Sequence, residues 1–190
     1  MSDDEEQLAL AMRQQDPKVA KSIASPLLGS AVARKDRPLE GRVLTLLAQC
    51  ESLLANSGSA YELSSRALPV LQSVGDFREE AKALAVQARS SSALGRNDQA
   101  IEAALLRLEL VKRDDDPANQ ADAHSQLGRA LFHAGCFDAA KGHLHEARRL
   151  AQAGSSPLEV FASIVTEGVS ELMRFVTERH ETGKAPSLRD

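Results

Sequence analysis

Residues 121–147 read ADAHSQLGRALFHAGCFDAAKGHLHEA, and this stretch decides the fold. Its apolar positions recur at helical rather than strand spacing, broken once by Gly135-Cys136-Phe137. The pattern predicts a helix over 121–134, a turn over 135–137 and a second helix over 138–153. Gly135 stands where a left-handed helix cap is wanted, and Asp138 is placed to cap the helix that follows. Two helices joined by so short a turn must fold back on each other.

The same pattern returns at a step of 40 residues. Gly95 falls on Gly135, Ala60 on Ala100 and Ala140, Asp76 on Asp116, and Pro117 on Pro157. Leu44 and Leu84 share a position, and Ala48, Ala88, Gly128 and Gly168 share another. Small residues recurring once per unit mark the point where the two helices of a pair approach most closely. Asp116-Pro117 and Ser156-Pro157 place a capping residue before a proline at the first helical position. A fixed step with matched Gly, Ala and Pro is the signature of repeated helix pairs.

These residues resemble tetratricopeptide repeats. Leu127-Gly128, Leu131, Gly135, Phe137, Ala140, Leu144 and Ala147 stand at the family's characteristic spacings, with His124 where the family often has Trp. The preceding unit keeps Gly95 and Ala100 but has Gln87-Ala88 for the Leu-Gly pair, and Arg107 where a small residue is usual. The first keeps Leu47-Ala48, Ala60 and Ala67. The step is longer than the family's standard unit and is similar to the repeats of bacterial signalling proteins and transcriptional activators. The expected fold is all-α, a right-handed α-solenoid of stacked antiparallel helix pairs. Expected boundaries are an acidic, frayed or partly helical segment at 1–15, a degenerate capping repeat at 16–40, and repeats across 41–180. These divide into 41–80, 81–120, 121–157 and a final helix at 158–179, followed by a flexible tail or linker at 181–190. Within the first segment, residues 1–7 are expected to fray.

Composition agrees. The 190 residues are 43% hydrophobic and 26% charged, with aromatics at 3% and no Trp. Ala and Leu, both strong helix formers, dominate the apolar class. A net charge of −4 argues against a general nucleic-acid binder, which needs a surplus of Lys and Arg. No apolar run approaches the ~20 residues of a membrane span. The acidic start, Met-Ser-Asp-Asp-Glu-Glu, is unlike a secretory signal. Cys50 and Cys136 show neither a disulfide-framework nor a zinc spacing. The expected setting is the cytoplasm.

Stacked helix pairs present an extended concave surface, and the resemblance implies that the first helix of each unit lines it. Carried over by period, that groove would hold Arg42, Thr45, Gln49 and Ser52, then Lys82, Ala85, Arg89 and Ser92, then Asp122, Ser125, Arg129, Phe132 and His133. Small side chains at Thr45, Ala85 and Ser125 would leave room for a ligand backbone. Arg42, Lys82, Arg89 and Arg129 could hold a carboxylate-bearing peptide through forked or charge-assisted hydrogen bonds; the alternative is that they are solvated or pair with nearby Glu and Asp. The set with which some family members clamp a peptide C-terminus is absent: Thr45, Gln49, Val86, Asp122 and Gln126 occupy those positions. In the final helix, Val165, Val169, Leu172 and Met173 lack the second helix that would cover them, which predicts a docking face for a twin subunit or a further domain, the alternative being that the tail folds back as a cover.

No catalytic constellation emerges. His143 and His145 lie two apart, whereas paired metal-binding histidines on a helix favour four. His133 and Cys136 flank a turn with no orienting third group, and Cys136 is expected to pack. Asp114-Asp115-Asp116 lacks the alternating ligands and central Gly of a calcium loop and is read as helix capping. The expectation is a non-enzymatic module that binds protein or peptide, with an acidic partner favoured and with no cofactor, metal, nucleic acid or membrane. It is read as the regulatory input region of a bacterial signalling protein, such as a diguanylate cyclase or transcription regulator. The alternatives are a stand-alone adaptor or chaperone for an acidic or amphipathic client, and a small-molecule sensor.

Overall fold

A computed structural model of the chain describes residues 3–113, 116–153 and 169. The described residues form eight helices and no strand: α1 Asp3–Arg13, α2 Pro17–Arg34, α3 Arg37–Leu53, α4 Ser57–Val74, α5 Phe77–Ala93, α6 Asn97–Val111, α7 Pro117–His133 and α8 Phe137–Ala153. Helices α1, α3, α5 and α7 end at Arg13, Leu53, Ala93 and His133, while α2, α4, α6 and α8 begin at Pro17, Ser57, Asn97 and Phe137. The 40-residue register therefore runs through four helix pairs. The chain is all-α and has a helical-repeat fold.

Capping chemistry sets the helix starts. Asp36 accepts from the backbone N–H of Leu39 at 3.1 Å, Asp76 from Glu79 at 3.3 Å, and Asp116 from Ala118 and Asn119 at 3.0 and 3.4 Å. Each satisfies donors that the first helical turn leaves open. The first helices consequently begin at Arg37, Phe77 and Pro117, four residues before the boundaries expected at 41, 81 and 121. Asp138 lies inside the first turn of α8 rather than at its cap, where it still suits the positive end of the helix. Asp16 caps α2 through Lys18 N–H at 2.8 Å, with Pro17 at the first helical position. The 1–7 segment expected to fray is helical from Asp3, and Leu8 and Ala11 are buried. Turns after the first helices pass through left-handed residues: Gly95 and Gly135 at φ 72° and 80°, and Ala55 at 60°.

The chain divides into two compact units, 1–113 and 114–190. In the first, each helix packs on the next, and in addition α1 touches α3 and α3 touches α5. Among the described residues α2, α4 and α6 do not touch one another. The first helices thus form the tighter inner layer of this unit, and a row that is closer on one side curves toward that side. Leu8, Ala11, Ala24, Leu27, Ala31, Leu39, Val43 and Leu47 join α1, α2 and α3 in one apolar cluster, and Leu44, Ala67, Val70, Leu71 and Ala83 join α3, α4 and α5 in the next. Burying each Leu stabilises the unit by about 1.5–3 kcal/mol. Polar ties support the packing. Lys21 of α2 pairs with buried Glu51 of α3 at 2.5 Å, and Asn56 donates to the same carboxylate at 2.7 Å. These hydrogen bonds, led by Lys21, hold the Glu51 carboxyl below its ordinary pKa. Burial pushes the neighbouring Cys50 thiol up.

In the second unit α7 packs on α8. A Cβ added to Gly128 would lie 2.7 Å from Cγ of buried Leu144 and 3.2 Å from the Ala140 carbonyl oxygen. Here the recurrent small residue is a steric requirement. The expected final helix at 158–179 and the tail at 181–190 lie outside the described residues, apart from Val169.

Candidate interaction site

The inner layer of the first unit carries a cleft of about 470 Å³. Helix α1 contributes Leu8, Ala9 and Met12. The start of α3 contributes Asp36, Pro38, Leu39 and Arg42, and the start of α5 contributes Asp76, Arg78, Glu79 and Lys82. Two helix starts meet the C-terminal half of α1 here because α3 and α5 begin in register, one repeat apart, and α1 closes the end of the row. Leu8 and Leu39 are buried at the base, whereas Met12 is 55% exposed. The cleft therefore has an apolar base and a charged rim.

Its charges are largely spoken for. Arg42 Nε donates to Asp76 at 3.2 Å, linking α3 to the cap of α5. Lys82 pairs with Glu79 at 2.5 Å, and the Arg78 guanidinium lies 5.8 Å from the Phe77 ring centroid. Three cations face three carboxylates, so the rim is electrostatically balanced rather than strongly cationic. The cationic side chains are about half exposed, and ion pairs of this kind contribute about 0–1 kcal/mol each, so a ligand can exchange them at small cost.

The residues expected in the groove separate into several groups. Arg42 and Lys82 line the cleft. Gln49 and Arg89 stand two turns further along the same helix faces, half-buried and exposed respectively, and do not line it. Ser52 and Ser92 are half-buried. Thr45 is 1% exposed and donates its hydroxyl to the Gly41 carbonyl at 2.9 Å. Ala85 is also buried. These two are packing residues and leave no space for a ligand backbone, because the closeness of α3 and α5 fills the room a small side chain was expected to open. Asp122, Ser125, Arg129, Phe132 and His133 belong to the second unit. Asp122, Arg129 and His133 are exposed and Ser125 is half-buried. Phe132 packs between His133 and Phe137, with centroids 5.7 and 5.6 Å away, and supports the α7–α8 turn. Cys136, expected to pack, is exposed, because it stands just before α8 on the outside of that turn. Of the expected docking face, Val169 is 44% exposed; Val165, Leu172 and Met173 lie outside the described residues.

Helix α1 supplies the lining that sequence reasoning missed. The signal was present: Leu8 is one repeat ahead of Ala48, and Leu8, Ala11 and Met12 follow helical spacing. The acidic residues before it drew the reading toward a frayed end. A second juxtaposition was also missed, that of His124 with His143, whose Nδ1 atoms are 3.0 Å apart.

No family model and no curated protein sequence matches the chain. Similar solved structures exist. The apo form of RapI superposes with a TM-score of 0.68 at 14% identity, over 95% of this chain and 53% of RapI. BtubC (BKLC) from P. vanneervenii superposes with a TM-score of 0.59 at 16% identity, over all of this chain and 96% of BtubC. The chain thus spans about half the length of RapI. At these identities the likeness is one of fold, and it agrees with the helical-repeat architecture.

Proposed function

We propose that the chain is a protein-interaction module of the tetratricopeptide type, whose first-helix cleft holds a short segment of a partner protein. The observation that carries this reading is the cleft itself: an apolar base of Leu8 and Leu39, an exposed Met12 at its edge, and charged groups at the starts of α3 and α5. An unbranched Met adapts to different apolar side chains. Exposed cations paired to helix-cap carboxylates can turn to a ligand's carboxylates, while Asp36, Asp76 and Glu79 accept from its N–H groups. The balance of charge favours an amphipathic segment of mixed charge over a purely acidic one.

The proposed role is non-catalytic. Asp36 and Asp76 serve as helix caps and Glu79 pairs with Lys82, structural engagements that support this reading while leaving each carboxylate lone pairs for a ligand's N–H groups. Among the described residues no helix is long and apolar enough to cross a membrane. The biological setting we propose is the cytoplasm, with the module serving as the regulatory input region of a bacterial signalling protein. The 40-residue unit motivates that setting through its similarity to long repeats in such proteins. A small-molecule sensor is the second reading, favoured by one observation, a cleft volume within the usual range for small ligands.

Selection of short random peptides on the immobilised chain tests the proposal. Enriched peptides should bind Met12→Asp and Lys82→Glu at least about tenfold more weakly than wild type and bind Leu106→Asp, altered on an exposed part of α6, unchanged. Enrichment of no peptide, together with thermal stabilisation by a metabolite mixture, would transfer the cleft to the sensor reading.

A further inference from the structure

The second unit contains a pair of side chains that peptide binding does not use. His124 on α7 and His143 on α8 are both half-buried. Their Nδ1 atoms are 3.0 Å apart, their ring centroids 5.2 Å apart and their planes inclined by 31°. The helices that carry them are locked together where Gly128 meets Leu144, one residue from His143. Helix packing therefore imposes the approach of the two rings.

A neutral imidazole has one N–H and one lone pair. At 3.0 Å the two Nδ1 atoms are at hydrogen-bond distance, which the neutral pair satisfies when one ring carries its proton on Nδ1 and the other on Nε2. When that Nδ1 proton passes through water to Nε2 of its own ring, both Nδ1 lone pairs become available to one acceptor. With metal–nitrogen bonds of ~2.05 Å, nitrogens at this separation subtend about 95° at the metal, and an opening of roughly 0.3–0.4 Å reaches the tetrahedral angle. The two Nδ1 atoms now face each other almost head-on, so each half-buried ring also turns by roughly 35° to aim its lone pair at a shared metal. Glu146, one turn after His143 on α8, is within electrostatic reach of His124. Its carboxylate, held below its ordinary pKa chiefly by hydrogen bonds from Arg149, adds negative charge beside the pair. Among the described residues no third ligand completes a set, so water would fill the other positions.

We propose that His124 and His143 form a two-imidazole site for a divalent cation of the zinc class, bridging α7 and α8. Imidazole nitrogen selects Zn²⁺, Ni²⁺ or Cu²⁺ over Mg²⁺ and Ca²⁺, which prefer oxygen ligands. Because the two ligands come from different helices, the bound cation clamps the helix pair and stabilises it. The spacing of His143 from His145 concealed the site; the second ligand is on the neighbouring helix, 19 residues away.

Calorimetric titration of the full chain with Zn²⁺ near neutral pH tests the proposal. Wild type should take up Zn²⁺ and melt several degrees higher, with no response to Mg²⁺. His124→Ala and His143→Ala should each weaken uptake by at least about tenfold, while His145→Ala, at an exposed position, should keep it. Imidazole ¹⁵N spectra of the unsubstituted chain give a reading that does not depend on how the variants fold: Nδ1 of both rings should shift with Zn²⁺. Zn²⁺ uptake that persists in the double His124→Ala/His143→Ala variant, or Nδ1 resonances unmoved by Zn²⁺, would overturn the proposal.

Discussion

Gly128→Ala tests the packing rule on which the repeat depends. Two effects oppose each other. Ala is a better helix former than Gly by about 0.8–1.0 kcal/mol, which alone would stabilise α7. Against this, the new Cβ lies 2.7 Å from Leu144 Cγ and 2.9 Å from its Cδ2. Leu144 is completely buried and cannot swing into solvent, and the Ala140 carbonyl at 3.2 Å limits the backbone's freedom to part. Overpacking of this kind costs about 1–3 kcal/mol, and the double restraint places the site in the upper part of that range. The expected net result is a loss of about 1–2 kcal/mol. Gly142→Ala supplies the control, since its Cβ meets nothing within 4 Å and should stabilise α8 by up to about 1 kcal/mol. Urea unfolding followed by circular dichroism should shift the two midpoints in opposite directions with unchanged slopes. In a Leu144→Ala background the Gly128→Ala penalty should shrink, because the Leu144 atoms are gone and only the Ala140 carbonyl oxygen at 3.2 Å opposes the new Cβ. A Gly128→Ala chain as stable as Gly142→Ala would refute the close-contact argument.

Further predictions concern caps, turns and titration. Ala55 sits at φ 60° where the equivalent residues are Gly95 and Gly135, so Ala55→Gly should stabilise by up to about 1 kcal/mol and Gly135→Ala should destabilise by about as much, read by thermal melting. Asp116→Ala should cost about 1 kcal/mol through the lost cap on α7. Glu51→Gln should cost about 1–3 kcal/mol at neutral pH by weakening the hydrogen bonds to Lys21 and Asn56. The folded-state pKa of Glu51 is lowered, so its contribution is present above the unfolded pKa and is lost as pH falls through the folded one. Acid titration of wild type should therefore show a stability loss below about pH 4.5 that is smaller in Glu51→Gln. Arg42→Ala should change stability by less than about 1 kcal/mol because Asp76 keeps its capping bond, while peptide binding at the cleft weakens.

Much of the architecture was legible because repetition is a statement about sequence. Gly95 and Gly135, the Ala60 series and the Ala48–Gly128 series each mark one place in a helix pair, and all recur at the step the helices keep. Unit boundaries drawn by apolar periodicity at 41, 81 and 121 mark the buried face, whereas the Asp36, Asp76 and Asp116 caps mark the first turn, as the Asp116-Pro117 pair already signalled for α7. Helix α1 was obscured by its acidic beginning, although Leu8 occupies the place of Ala48. The cleft was harder to read. A face can be carried over by period, and Arg42 and Lys82 so carried over line the cleft, but depth cannot: Thr45 and Ala85 share that face and are buried. Ion pairing is equally invisible, since the Arg42–Asp76 contact joins residues 34 apart. The His124–His143 contact has the same character, being set by how α8 folds back on α7.

The central claim is that the inner row of α1, α3 and α5 is the surface that receives a partner. Amide and methyl NMR of the chain titrated with a selected peptide measures this most directly. The account predicts shifts concentrated at Leu8, Met12, Leu39, Arg42 and Lys82, with Leu105 and Leu106 of α6 unmoved. Shifts gathered instead on α2, α4 and α6, with the α1–α3–α5 residues silent, would contradict it.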